Sequence, residues 1–152
     1  MTKAGPVAVV FAGLFLIGGD EARAQGKKSD AVVKVKADIG KPAADGSTPV
    51  HIVLTIDHGW HIYANPAGQD DLADTATTVT VGGSARAESI DYPPGKLVKD
   101  KAIGDYKVYE DKVTITAKVR RSGGGPIDLG IKVQACNEQK CLVPATIKLS
   151  VK

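Results

Sequence analysis

Aromatic side chains are scarce: four tyrosines, two phenylalanines and one tryptophan in 152 residues. So few rings supply no surface on which nucleic-acid bases would stack. The net charge is only +3 and is scattered along the chain, which excludes the concentrated basic footprint of a nucleic-acid binder. Long apolar runs are also missing. Val7 to Ile17 is too short to cross a bilayer as an ordinary helix, and no later run is longer. There is no internal repeat and no convincing helical stripe. No Gly-x-Ser-x-Gly elbow accompanies the few serines, which excludes a serine hydrolase of that type. Gly123 to Gly125 lead into a proline and a strand-like run, not into a helix start that could cradle phosphate. What remains is 43% hydrophobic and 24% charged, the balance of a globular protein of one-domain size.

The first residues, "MTKAGPVAVVFAGLFLIGGDEARAQ", place a lysine before the apolar run and an Ala-Arg-Ala pattern after it. That is the order of a secretory signal peptide over residues 1–24, cleaved near Ala24. Export to an oxidising compartment is expected, with a short disordered lead at 25–30 and one domain over 31–152. No stable membrane insertion of the mature chain is expected.

Along that domain, apolar residues recur with a period of two. Val33, Val35, Ala37 and Ile39 share one phase, as do Ile52, Leu54 and Ile56. Val113, Ile115, Ala117 and Val119 repeat the pattern, followed by Ile127 to Ala135 and by Ile147, Leu149 and Val151. Turn formers separate these runs. Period-two alternation with such punctuation is the signal of half-buried antiparallel strands. Seven or eight of them predict an all-β, immunoglobulin-like antiparallel sandwich. "QDDLADTAT" has room for one helical turn.

Both cysteines fall in one short stretch, "VQACNEQKCLVPATIKL". A disulfide between Cys136 and Cys141 would close a ring so small that it contributes about 2 kcal/mol by chain entropy, against about 4 or more for a crosslink across a domain. Trp60 precedes both cysteines, unlike the Cys–Trp–Cys order of antibody domains. Regular continuation of the Ile127 phase would turn Cys136 outward and make the bond a surface feature. On this chemistry alone a structural staple and a redox-active pair both stay open. Metal binding would need ligands beyond two thiolates. His58 and His61 in "HGWH" are the candidates for a copper or zinc carrier, yet His58 sits in a turn. His51, on the polar phase of its strand, has no assigned role. No metal and no cofactor are expected.

Three stretches resemble the N-terminal periplasmic domain of the DsbD thiol:disulfide interchange family: "VQACNEQKCLVPATIKLSV", "IDHGWHIYANPAGQDDLADTATTVTV" and "VYEDKVTITAKV". They span most of the chain from Val32 to Val151, and the cysteine turn followed by Pro144 is the most specific part. The resemblance implies an immunoglobulin-like sandwich whose Cys136–Cys141 hairpin relays electrons between thioredoxin-like proteins in the periplasm, including those of disulfide isomerisation and cytochrome maturation. It implies that Cys141 forms the mixed disulfide and Cys136 resolves it. It also implies aromatic walls beside the cysteines, here His61 and Tyr63, with Trp60 turned to the core. A cap loop is implied over Asp100 to Tyr106. The family carries a phenylalanine at the loop's tip; Ala102 and Ile103 stand there instead, so any shielding falls to Ile103 or Tyr106. The membrane conduit and the C-terminal thioredoxin-like domain of the family do not occur in this sequence, so the expected electron partner is a separate protein. The competing class is an exported immunoglobulin-like binding module with a purely structural disulfide.

Overall fold

A computed structural model describes residues 26–152. The expected signal peptide, residues 1–24, lies outside the described residues. Eleven strands follow in order: β1 (Val33–Ile39), β2 (Thr48–Ile56), β3 (His61–Tyr63), β4 (Thr78–Gly83), β5 (Ala85–Asp91), β6 (Lys96–Val98), β7 (Tyr106–Glu110), β8 (Lys112–Arg121), β9 (Ile127–Val133), β10 (Ala135–Cys136) and β11 (Ala145–Val151). All pair antiparallel with their sheet neighbours. The expected all-β antiparallel sandwich is therefore the observed architecture. The count exceeds seven or eight because several strands are only two or three residues long. The helical turn expected near Asp70 is a 3-10 segment, Asp70–Thr75.

Three sheets form: β1-β2-β8-β5, β10-β3-β7-β6 and β11-β9-β4. The alternation explains how they pack. Val50, Ile52, Leu54 and Ile56 of β2 project to one side and meet Val113, Ile115, Ala117 and Val119 of β8, with Ile52 directly opposite Ile115. Ile127, Leu129, Ile131 and Val133 of β9 close the same cluster from the other layer. Antiparallel strands with one wet face require this in-and-out pattern, and a one-residue slip would turn every one of these side chains outward.

The second sheet buries side chains on both faces at its β3, β7 and β10 strands, while β6 is largely exposed. Ile62, Ala64 and Tyr109 join the main core. Tyr63 and Val108, their chain neighbours, point the opposite way into a smaller cluster with Ala67, Ala76 and Cys136. The cysteine thus belongs to a satellite core on the outer face of this sheet.

The disordered lead expected over 25–30 is overturned from Lys27 onward. Lys28 bridges Val143 in parallel, and Ser29 is fully buried against the cysteine hairpin. Composition alone pointed to disorder, but Ser29 finds backbone partners more than a hundred residues away.

Candidate functional site: a disulfide at the tip of a hairpin

β9 and β11 pair over seven residues, from Ile127↔Val151 to Val133↔Ala145. Beyond Val133 the chain leaves this sheet. Gln134 breaks the ladder, and β10 joins the neighbouring sheet through Ala135↔Ile62 and Cys136↔His61. The phase survives the break: Ala135 stays in the main core with Ile127 to Val133, and Cys136 faces the other way. That outer face is not open to solvent, because the satellite cluster covers it and leaves Cys136 2% exposed. The expectation of a surface disulfide is therefore corrected on one side. Cys136 is sunk in the satellite cluster, while Cys141 across the turn is exposed.

The two cysteines form a disulfide, with their Cα atoms 4.0 Å apart. They face each other as an antiparallel pair. On the open side, the Asn137 N–H donates to the Lys140 carbonyl (2.9 Å); on the stem side, the Leu142 N–H donates to the Ala135 carbonyl (2.8 Å). The cysteines thus occupy the non-hydrogen-bonded position between those two pairs, where opposed side chains approach most closely. The turn is held by Asn137, whose Oδ1 accepts from the N–H groups of Gln139 and Lys140, both at 2.9 Å. A short acceptor side chain at the first turn position commonly does this.

Tyr63 walls the buried sulfur. Its hydroxyl lies 3.8 Å from Cys136 Sγ, which carries no proton in the disulfide, so the hydroxyl is the donor. Burial, then the neighbouring Tyr106, push the Tyr63 phenol above its usual range and keep it protonated. Tyr106 packs on Tyr63 with ring centres 5.8 Å apart, and His61 meets Tyr63 edge-on at 6.1 Å. Trp60 is half-buried against the main core, as its phase requires.

Of the residues named from sequence, Cys136, Cys141, His61, Tyr63 and Tyr106 are thus gathered at one end of the second sheet. Ile103 is not. It is 53% exposed and belongs to neither apolar cluster. The 100–106 loop is ordered from within and from the side. Asp100 Oδ1 accepts from the N–H groups of Ala102 and Ile103. The Gln69 amide donates to the carbonyls of Ile103 and Asp105. These bonds hold the loop against the segment after β3, and its ring over the cysteine cluster is Tyr106. Beside the cysteine turn runs an open groove of about 790 Å³, lined among others by Trp60, His61, Leu97, Tyr106 and Glu138.

His61 occupies the middle of a cross-strand row, opposite Cys136 on β10 and Glu110 on β7. Glu110 in turn pairs with Lys96 on β6 at 2.7 Å. Burial pushes the imidazole below its ordinary value of 6.5; Glu110 opposes that shift and Lys96 adds to it. The unfolded chain therefore takes up a proton at this residue before the folded one does. Its contribution to stability is complete above about pH 6.5 and falls as pH drops through that value toward the folded pKa. His61→Asn flattens this part of the curve. Urea midpoints of both proteins at about pH 7.5 and about pH 5 check it, the wild type losing more stability than the variant. Equal losses would contradict the assignment.

Sequence reasoning missed Ser29 and Asn137. Asn at the start of the turn "NEQK" was a legible signal; Ser29 left none, because its partners lie at the other end of the chain. Among the described residues no group of His, Cys, Asp or Glu side chains could hold a metal ion. Likewise, no helix among them is long and apolar enough to cross a membrane.

Comparison with known proteins agrees with this geometry. The profile of the family described as "Thiol:disulfide interchange protein DsbD, N-terminal" matches residues 28–152. Among solved structures, the reduced DsbD N-terminal domain of Neisseria meningitidis is 17% identical with a TM-score of 0.54, covering 81% of this chain and 86% of that one. The same domain in complex with the N. meningitidis PilB N-terminal domain gives 15%, 0.54, 76% and 80%. The N-terminal periplasmic domain of ScsB from Proteus mirabilis gives 15% and 0.57, covering 78% of this chain and 46% of that one. At these identities the likeness is one of fold. No curated protein sequence matches the chain.

Proposed function

The chain belongs to the family of DsbD N-terminal thiol:disulfide interchange domains, and from that membership we propose that it exchanges its Cys136–Cys141 disulfide with thioredoxin-like partners in the periplasm, acting as an electron relay. The observation that carries the reading is the asymmetry of the pair: one sulfur is walled into the satellite core and the other stands at the surface. A structural staple has no use for that difference, whereas a relay needs one sulfur to be attacked and the other to leave.

In the reductive half, a partner thiolate attacks Cys141 Sγ. The sulfur–sulfur bond breaks, a mixed disulfide forms, and Cys136 departs as a thiolate. A thiolate in apolar surroundings is costly, and the Tyr63 hydroxyl is the donor within reach to stabilise it. Cys136 then takes a proton. The partner's second thiolate attacks the partner's own bridged sulfur and frees Cys141. One dithiol has become a disulfide and one disulfide a dithiol, with two electrons and two protons transferred. Running the steps backward onto an oxidised partner completes the relay. That a DsbD N-terminal domain forms a complex with the PilB N-terminal domain supports protein partners of this kind here. Expected partners also include a separate membrane conduit and thioredoxin-like proteins of cytochrome maturation. The signal peptide over 1–24, the domain that follows it, packed from Lys27 onward, and a periplasmic location complete the proposal.

The test is reduction by a thioredoxin-like dithiol while far-ultraviolet circular dichroism reports that the domain stays folded. A midpoint potential near about −200 mV suits a relay, and one below about −300 mV marks a structural bond. Inertness of the folded protein would leave an exported binding module with a stapled hairpin.

A further inference from the structure

The hairpin carrying the cysteines has an incomplete ladder. Leu142 N–H donates to the Ala135 carbonyl, but the return bond from Ala135 N–H to the Leu142 carbonyl is not made. Ala135 N–H donates instead to the Ser29 hydroxyl at 2.9 Å. That hydroxyl donates onward to the Val143 carbonyl, also at 2.9 Å. Ser29 N–H donates to the same carbonyl (2.9 Å), and Val143 N–H donates to the Lys27 carbonyl (3.2 Å). One serine side chain is thus inserted between the arm that enters the cysteine turn and the arm that leaves it. It is fully buried. The segment is itself anchored, because a 3-10 turn over Ser29–Ala31 runs directly into β1.

None of these bonds involves sulfur. We propose that the strap Lys27–Ser29 is a positioning element of the exchange site, with Ser29 as its pin, keeping Cys136 and Cys141 opposed after their bond has opened. The site it serves rests on the exchange reading above. When the disulfide breaks, both thiols remain on a stem closed by the strap, the Ala135–Leu142 bond and the Asn137 turn. Little chain entropy is then lost on re-forming the bond, so each thiol meets the other at high effective concentration. The strap consequently biases the pair toward the disulfide.

Ser29→Ala removes the inserted donor and acceptor and frees the stem. Its equilibrium constant for disulfide formation against glutathione is expected to fall about three- to tenfold, the equivalent of one or two hydrogen bonds; tenfold corresponds to about 30 mV. Ser84→Ala is the control. The Ser84 hydroxyl donates to the Gly125 and Pro126 carbonyls before β9, at the far end of that strand from the cysteines. Its glutathione constant is expected to match wild type. An unchanged constant in folded Ser29→Ala, or an equal fall in Ser84→Ala, overturns the proposal.

Amide hydrogen exchange on the wild-type protein provides a measurement independent of how well the variant folds. Ala135 and Ser29 amides are expected to stay protected in both the disulfide and the dithiol forms. Loss of their protection on reduction alone, with the main-core amides still protected, overturns the strap. Glutathione equilibria and amide exchange need no protein partner, so failure of the relay reading shows separately, as inertness toward thioredoxin-like dithiols.

Discussion

Cys136→Ser, presented with a thioredoxin-like protein bearing one activated cysteine, accumulates a mixed disulfide through Cys141. Cys141→Ser, which leaves only Cys136, accumulates it roughly a hundredfold more slowly, because exchange rates follow access to sulfur and thiolate character. The difference comes from burial. Cys136 is 2% exposed among Tyr63, Ala67, Ala76 and Val108. An incoming sulfur would have to displace Tyr63 to reach it, and apolar surroundings disfavour its thiolate. Cys141 is at the surface, after the turn. Non-reducing electrophoresis with mass identification of the linked peptides reads the outcome. Equal capture by the two variants would remove the asymmetry on which the exchange mechanism stands.

Ile115→Ala is expected to give the largest loss of stability. Ile115 sits mid-strand on β8, fully buried and opposite Ile52. Strand β8 lies between β2 and β5, so its backbone is fixed on both sides and can collapse little around a cavity. Truncating a buried isoleucine under such constraint costs about 2–5 kcal/mol. For a domain of this size the thermal midpoint should fall by roughly 10 °C or more. The rate of disulfide reduction in the folded protein should stay near the wild-type value, because Ile115 lies in the main core and Cys136 in the satellite cluster. Thermal denaturation followed by circular dichroism, with reduction kinetics at 25 °C, separates the two effects. A midpoint within about 2 °C of wild type would mean that Ile115 is not the keystone its burial indicates.

Much of the sandwich was legible in the sequence because half-buried strands print their burial as alternation. Val33 to Ile39, Val113 to Val119 and Ile127 to Val133 have the facing that their phases predict. β5 was not legible, since Arg86 to Ser89 is exposed throughout and leaves no apolar phase to read. β6 and β10 are too short for any period to show. At the site, the phase of "WHIY" separated Trp60 and Ile62 from His61 and Tyr63 because β3 follows a regular pleat. The same rule turned Cys136 away from the main core correctly but took that face for a surface, because a period-two count cannot see the satellite cluster that covers it. Ser29 was out of reach for a different reason. Its importance comes from two backbone groups beyond position 130, and a hydroxyl that pairs with distant main chain leaves no local pattern.

The seven-pair ladder of β9 and β11 has a mechanical consequence. A loop carrying a reactive group can swing toward a visitor; a tip carried by paired arms, braced at its root by a segment from the opposite chain end, cannot. Recognition would then be a matter of approach angle. The visitor must bring its sulfur in line with the Cys136–Cys141 axis from the Cys141 side. Proteins whose thiol is recessed or flanked by bulk would be turned away by shape before any chemistry began.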